Sequence, residues 1–352
     1  MSRIIIFMPV KNDSWFVEKS ITSALMWADH VIVADGSSND GSHDIYKEIE
    51  KKYNNITIIY NRPKMDYTSS DLRNYGLNLC RNFDGNNIII ELHADEIVSG
   101  EILTREIKQT LEERIKVGDS FMMPWINIWK HPFYFRNDNS IWSNNKGWFG
   151  FRDDRISSFN EASFHGARAP NSLIKNKVEI NFLNVLHFQF MNLGMERSKQ
   201  ALYQIFERNH YPNKNIESIN KAYACAFDNR NLKLNALDQK HYKPWLDLKI
   251  QIDQKYPDEI FNWRDLVVLK NFKENGINKY KNLNIWYIDW EKKRKIAIKD
   301  FPNEIYPENP INDPRSLSTK ASHVFLMKYQ IYPFWRLDFF KLIINKLIKK
   351  IF

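Results

Sequence analysis

Cysteine is nearly absent. Cys80 and Cys225 are the only two in 352 residues, and they form no C-x-x-C. A disulfide-built scaffold and a four-thiolate zinc site are thereby excluded, and a reducing compartment fits. Glycine is scarce, with 11 residues beside 13 prolines, too few for a collagen-like or Pro-rich low-complexity chain. Neither G-x-G-x-x-G nor G-x-x-x-x-G-K-[ST] occurs, so a dinucleotide-binding or P-loop assignment lacks its phosphate cradle. No run of roughly 18 uncharged apolar residues is present, so no membrane-spanning helix is expected. The opening MSRIIIFMPVKND carries five apolar residues in a row before Pro9, without the cleavage site of a signal peptide. A cytoplasmic location is expected from that. Acids are the minority charge, 42 against 51 Lys plus Arg, for a net +9. That excess permits attraction to phosphates, anionic lipid or nucleic acid without choosing among them. No zinc-finger spacing or basic-aromatic recognition module is present, so nucleic acid is not an expected partner.

What is there is a globular composition, 43% hydrophobic and 26% charged, long enough for two domains or for one large domain with an appended module. Ile4 to Val10 reads as a buried strand, followed by helical spacing to about Trp27. VIVAD at 31–35 reads as a second strand that runs into the turn cluster GSSNDGS. A helix is expected from about Ser42 to Lys52, a strand at Ile56–Tyr60 and a helix from Tyr67 to Arg81. The apolar run in NIIIELHADE then turns acidic. Strands that are continuously apolar and alternate with helices predict an α/β fold whose mostly parallel central sheet has helices on both faces. Residues 99–117 read as helix, and the aromatic stretch after them as a β-rich lobe ending in an apolar segment at 181–193. Beyond Gly194 the chain reads as a mainly helical region.

Chemistry concentrates at Glu91–Glu96. Residues 93 and 95 of an extended strand point the same way, and the carboxyl ends of parallel strands are where such folds bind ligands. Asp95 is the first candidate to hold a hard divalent cation whose other ligands come from a substrate diphosphate. Glu96 is a second candidate, binding directly, through water, or orienting another group, and His93 is unusual beside Mg2+ but acceptable for Mn2+. A capped strand end with solvated acids is the plainer alternative. Asp35 sits at another strand end, where its carboxylate can accept from a nucleobase N–H or a ribose hydroxyl, with Ser37 and its neighbours lining the pocket. It equally suits a capped strand-to-helix turn. Arg73 can clamp phosphate oxygens or lie exposed on its helix.

Four segments, in this order, resemble the family 2 glycosyltransferases of GT-A fold: IIIFMPVKND at 4–13, VIVADGSSNDGS at 31–42, LRNYGL at 72–77 and LHADE at 92–96. The resemblance implies a nucleotide-diphospho-sugar donor. Pro9, Val10, Asn12 and Asp13 would lie beside the nucleotide, Asp35 would read base or ribose, and Arg73 would approach the diphosphate. His93 and Ala94 would flank it, and Asp95 would hold Mn2+ or Mg2+. His93 stands where the family motif commonly has Asp. FRDDRISSFNEASFHG at 151–166 resembles a stretch of the bacterial lipopolysaccharide-core, surface-glycan subgroup, with His165 matched and Gly166 where Glu is usual. An inverting transfer needs a carboxylate base. Asp154 is favoured, with Asp153 and Glu161 as alternatives, although Asp153 and Asp154 also suit ion pairs with Arg152 and Arg155. His187 resembles a late histidine that reaches the metal, or else is a core histidine. Trp125, Trp129, Trp142 and Trp148 suit either sugar stacking or core.

The expected organisation is a catalytic domain at 1–193, with a nucleotide-binding half at 1–100 and an acceptor half at 101–193, then an accessory region at 194–330. A basic amphipathic tail helix is expected at 331–352, with Arg336, Lys341, Lys346, Lys349 and Lys350 against one acid, Asp338. That tail suits an anionic membrane surface or docking on protein. The expected function is inverting transfer of a sugar to a hydroxyl of a cell-surface or envelope glycan or glycolipid. A non-catalytic glycan- or membrane-binding protein on the same scaffold and a sugar nucleotidyltransferase are the alternatives. The nucleotidyltransferase would place a Gly-rich basic loop where PVKNDSW stands.

Overall fold

Alternation within the first strand explains the layers around it. In a computed structural model, which describes residues 2–65, 70–100, 106–138, 142–143, 145–160, 166–224, 232–242, 261–329 and 347–348, β1 spans Ile4–Val10. Ile4, Ile6, Met8 and Val10 enter one apolar cluster with Val17 and Ile21 of α1 (Val17–Leu25) and with Tyr46 and Ile49 of α2 (Ser42–Glu50). Ile5 and Phe7 enter another, with Leu72, Leu77 and Cys80 of α3 (Ser70–Cys80). Both faces of the strand are covered, so neither set of alternate residues can be polar. Burying each of these isoleucines contributes roughly 1.5–3 kcal/mol.

The strands β2 (His30–Asp35), β3 (Ile56–Ile59) and β4 (Ile88–Glu91) lie parallel in the order β3-β2-β1-β4. Beyond β4 the sheet changes direction. The next strand across is β8 (Asn145–Arg152), antiparallel to β4, followed by β6 (Ser120–Trp129) and β7 (His131–Arg136). The sheet is therefore mixed, with its first four strands parallel and β4, β8, β6 and β7 joined by antiparallel pairs. A short β9 (Lys177–Glu179) pairs with β6.

The expected helix over 99–117 is shorter than its pattern suggested. Residues Glu96–Gly100 form β5, antiparallel to β10 (Leu183–Phe190) with His187 opposite Glu96, and α4 covers Glu106–Arg114. The ladder to β10 holds residues 96–100 extended, a partner more than 80 residues away that no local periodicity reveals.

The chain divides into two compact units: residues 1–135, 144–188 and 236–254, and residues 136–143, 189–235 and 255–352. Segments 136–143 and 236–254 each belong to the unit on the far side of the expected 193/194 boundary. In the second unit, α5 (Leu193–His210), α6 (Ile216–Ala224), α7 (Trp263–Asn275), α8 (Trp290–Asp300) and α9 (Leu317–Tyr329) are the described α-helices. Leu202, Ile205, Ile219, Leu269, Phe272 and Trp290 are buried together in its core. No described helix is long and apolar enough to cross a membrane. The expected tail helix lies outside the described residues, apart from 347–348.

Candidate active site

Register places the acidic strand ends at one edge. Val10 is level with Asp35 across β1 and β2, and Phe7 with Glu91 across β1 and β4. Asp35 and the turn after Glu91 thus leave the sheet on the same side, two strand spacings or about 10 Å apart laterally. Between them, the loops after β1 and β2 are stapled together. The Asn12 amide donates to Ser38 Oγ at 2.7 Å, the Asn39 amide donates to Asn12 Oδ1 at 2.8 Å, and Lys11 Nζ donates to the Gly36 carbonyl at 2.6 Å. Asn12 and Ser37 take left-handed backbone conformations, φ +52° and +63°. Conformations that side chains disfavour persist where surrounding bonds over-determine them. Ser37 is exposed, Val10 is buried, and the Asp13 carbonyl accepts from the Phe16 and Val17 amides at the start of α1.

Asp35 is not an open nucleotide reader. It is fully buried, and both its oxygens are used within the protein. Oδ1 accepts from the Ser38 amide at 2.7 Å and pairs with His43 Nε2 at 3.0 Å, and Oδ2 accepts from Tyr46 Oη at 2.9 Å. Burial alone would raise its pKa, but those hydrogen bonds bring it below the ordinary aspartate value. The residue Asp35 presents is His43, whose side chain is 28% exposed and whose ring stands edge-on to Tyr60. Sequence reading missed His43, because a histidine in the first turn of a helix carries no pattern of its own.

At the other strand end, Glu91 is buried beneath its neighbours. Arg73 Nε lies 3.6 Å from one of its oxygens and His93 Nε2 3.6 Å from the other. Burial would raise its pKa, yet His93, Arg73 and Arg168 together hold it down to about 2. Arg73 also donates to the Gly166 carbonyl at 3.3 Å, so it faces this carboxylate and not open solvent. The His93 side chain is 43% exposed. Ala94 is buried, with its carbonyl accepting from Ser20 Oγ at 2.6 Å.

Glu96, expected as a metal ligand, is committed elsewhere. It is fully buried, and both oxygens accept from the Arg168 guanidinium, at 2.6 and 2.9 Å. Burial opposes its ionisation, but Arg168 and His93 hold its pKa down to about 2. Two bonds from the buried Arg168 guanidinium and one from the His93 amide occupy most of its acceptor capacity within the protein. Neither Arg168 nor Glu91 was given a role from sequence, since only folding brings residue 168 to residues 91–96.

Asp95 and His187 do meet. His187 Nε2 lies 3.5 Å from Asp95 Oδ2, and the Phe188 amide donates to the Asp95 carbonyl at 2.9 Å. His187 Nδ1 is 3.2 Å from Asn127 Oδ1, an acceptor, so Nδ1 donates there and Nε2 is the ring nitrogen turned to Asp95. Nε2 is buried and has no hydrogen-bond partner among the described residues. Among them, no cluster of three or more His, Cys, Asp or Glu can hold a metal by itself. A carboxylate and an unbonded imidazole nitrogen do fit a cation that takes its remaining ligands from substrate.

The carboxylates favoured as base lie at the wrong edge. Since β8 runs antiparallel to β4, with Arg152 opposite Ile88, the chain leaves it beside Asn87, where the Asp153 amide donates to the Asn87 carbonyl at 2.8 Å. Four residues of extended strand, about 13 Å, separate that point from Glu91. Asp153 is buried and accepts from Arg81 Nε and Nη2 at 2.9 and 2.7 Å. Asp154 caps the next turn through Ile156, Ser157 and the Ser157 hydroxyl. The ion pair is thus with Arg81, and not with Arg152 or Arg155. Glu161 and His165 lie outside the described residues. Of the tryptophans, Trp125 stacks on His187 and Trp129 is core.

Residues 5–147 match the model of Glycosyl transferase family 2, less than half of the chain. No curated protein matches it in sequence. Among solved structures, it is similar to S. aureus TarS 1-349 in complex with UDP-GlcNAc, at 13% identity and a TM-score of 0.37, over 81% of this chain and 91% of that one. It is also similar to the mannosyltransferase PcManGT from Pyrobaculum calidifontis in complex with GDP-Man and Mn2+, at 11% identity and a TM-score of 0.38, over 93% and 84%. The mixed α/β architecture is that of a GT-A-like domain with a helical region following it.

Proposed function

We propose that this protein is an inverting, metal-dependent glycosyltransferase that moves a sugar from a nucleotide-diphospho-sugar to an acceptor hydroxyl. The observation that carries the reading is the pairing of Asp95 with the unbonded Nε2 of His187, at the same sheet edge as the stapled loops 11–13 and 36–40. Asp95 and His187 would hold Mn2+ or Mg2+. When bound, the cation supplies positive charge against the departing diphosphate. Asn12, Ser37 and His43 would border the nucleoside, with Asp35 setting the His43 ring. Arg73 adds positive charge beside Glu91.

The acceptor proton needs a carboxylate at this edge, and neither Asp153 nor Asp154 stands there. Glu161 is the remaining expectation. The described residues on either side of it meet α3, where the Asn74 side chain bonds Phe159 and Arg73 bonds Gly166. The envelope-glycan acceptor class rests on the resemblance of residues 151–166.

The test is a panel of nucleotide sugars scored for binding and hydrolysis with Mn2+, Mg2+ or chelator. Asp95→Ala is expected to remove metal-dependent turnover, and unchanged turnover in that variant rejects the metal role. Glu161→Gln is expected to keep donor binding while losing transfer. Donor binding without turnover under every condition would favour a non-catalytic scaffold.

A further inference from the structure

One buried cation bonds the residues that flank Asp95 and lies over the ring that stacks on His187. Arg168 has a side chain only 8% exposed. Its Nη1 donates to the Glu91 carbonyl at 3.1 Å and to Glu96 Oε2 at 2.6 Å. Its Nη2 donates to Glu96 Oε1 at 2.9 Å and lies 3.4 Å from His93 Nδ1. Glu96 Oε2 also accepts from the His93 amide at 2.8 Å. The guanidinium therefore ties the residue before the turn to the residue after it, with Asp95 between them. Its Cζ lies over the rings of Phe149, 4.9 Å from the centroid, and Trp125, 5.5 Å from the centroid. Trp125 in turn stacks on His187, centroids 4.9 Å apart and planes 20° apart.

We propose that Arg168 is a positioning residue that fixes the turn carrying Asp95 and, through Trp125, the ring plane of His187, so that the two ligands are presented together. This rests on the reading that Asp95 and His187 hold a cation. The role calls for arginine. A planar fork can satisfy two carboxylate oxygens and a carbonyl while stacking on an aromatic face, whereas the ammonium of lysine keeps only the charge. Residues that orient metal ligands typically change metal affinity about 10–100-fold when replaced.

The experiment is Mn2+ binding to the full chain, read from the electron paramagnetic resonance signal of free Mn2+, with UDP or GDP present. Wild type, Arg168→Lys and Trp125→Leu are compared, and circular dichroism checks that each is folded. Folded Arg168→Lys is expected to bind Mn2+ about 10–100-fold more weakly than wild type. Trp125→Leu breaks the stack but leaves the buried ion pair, and it is expected to weaken binding in the same direction. It carries the test alone if Arg168→Lys does not fold. Wild-type affinity in the folded variants overturns the positioning role and leaves the functional reading standing. A wild type that binds no Mn2+ with either nucleotide overturns the functional reading, and the positioning role with it.

Discussion

Replacing Asp153 with asparagine separates a structural carboxylate from a catalytic one. The Asp153 side chain is 2% exposed and receives a two-pronged bond from Arg81, at 2.9 and 2.7 Å, and the Arg155 amide at 3.1 Å. Removing one partner of a buried ion pair costs about 3–5 kcal/mol, because the other charge is left buried and uncompensated. Two features lower that here. The Arg81 side chain is 19% exposed, and its Nη2 also donates to the Ser157 carbonyl at 2.8 Å. Asparagine, moreover, can still accept one N–H. A loss of roughly 2–3 kcal/mol is the result expected for Asp153→Asn. Urea unfolding followed by circular dichroism reads it as a lower midpoint. Donor turnover per folded molecule should be unchanged, since the residue sits at the opposite sheet edge from Asp95. A variant with the wild-type midpoint and no transfer would refute the placement and return Asp153 to the chemistry.

Gly150 in β8 has no room for a side chain: a Cβ built there runs into the Ile89 carbonyl oxygen and the Phe121 ring. Gly150→Ala should cost about 2–3 kcal/mol by the same unfolding assay, because strand backbone cannot move aside, and a near-neutral result would contradict the packing of β8 between β4 and β6. The acid response follows from Glu91 and Glu96, whose folded pKa values are depressed to about 2 from an ordinary 4.5. Groups lowered on folding stabilise the protein above their unfolded pKa, and that stability is lost as pH falls through the folded value. The melting temperature should therefore fall between about pH 4.5 and pH 2, and Glu96→Gln should flatten that slope; an equally steep slope in the variant would count against the Arg168 pair.

The parallel half of the sheet was legible because its evidence is local. A strand buried on both faces must be apolar along its length, so IIIFMPV, VIVA and the III of 88–90 announce themselves. Each ends where the first polar residue leaves the sheet. Strand direction in an α/β alternation then puts Asp35 and Asp95 at one edge without any long-range information. The strand at 96–100, whose last two residues fell in the expected helix, was not legible because its partner, β10, lies far along the chain. Asp153 and Asp154 looked catalytic because the resemblance supplied an order of residues and not a direction of travel.

What the sequence alone determined is the part whose physics is short-range: which segments are apolar on two faces, where they stop, and which carboxylates stand at the stops. Only the tertiary structure decided which of those groups are spent. It turned β8 back along β4 and carried Asp153 away from the site. It closed Asp35 against Tyr46 and His43, gave Glu96 to Arg168, and brought His187 to Asp95 across β5 and β10. Those pairings depend on hydrogen bonds and ion pairs between segments distant in sequence, and their partners become neighbours only when the sheet is assembled.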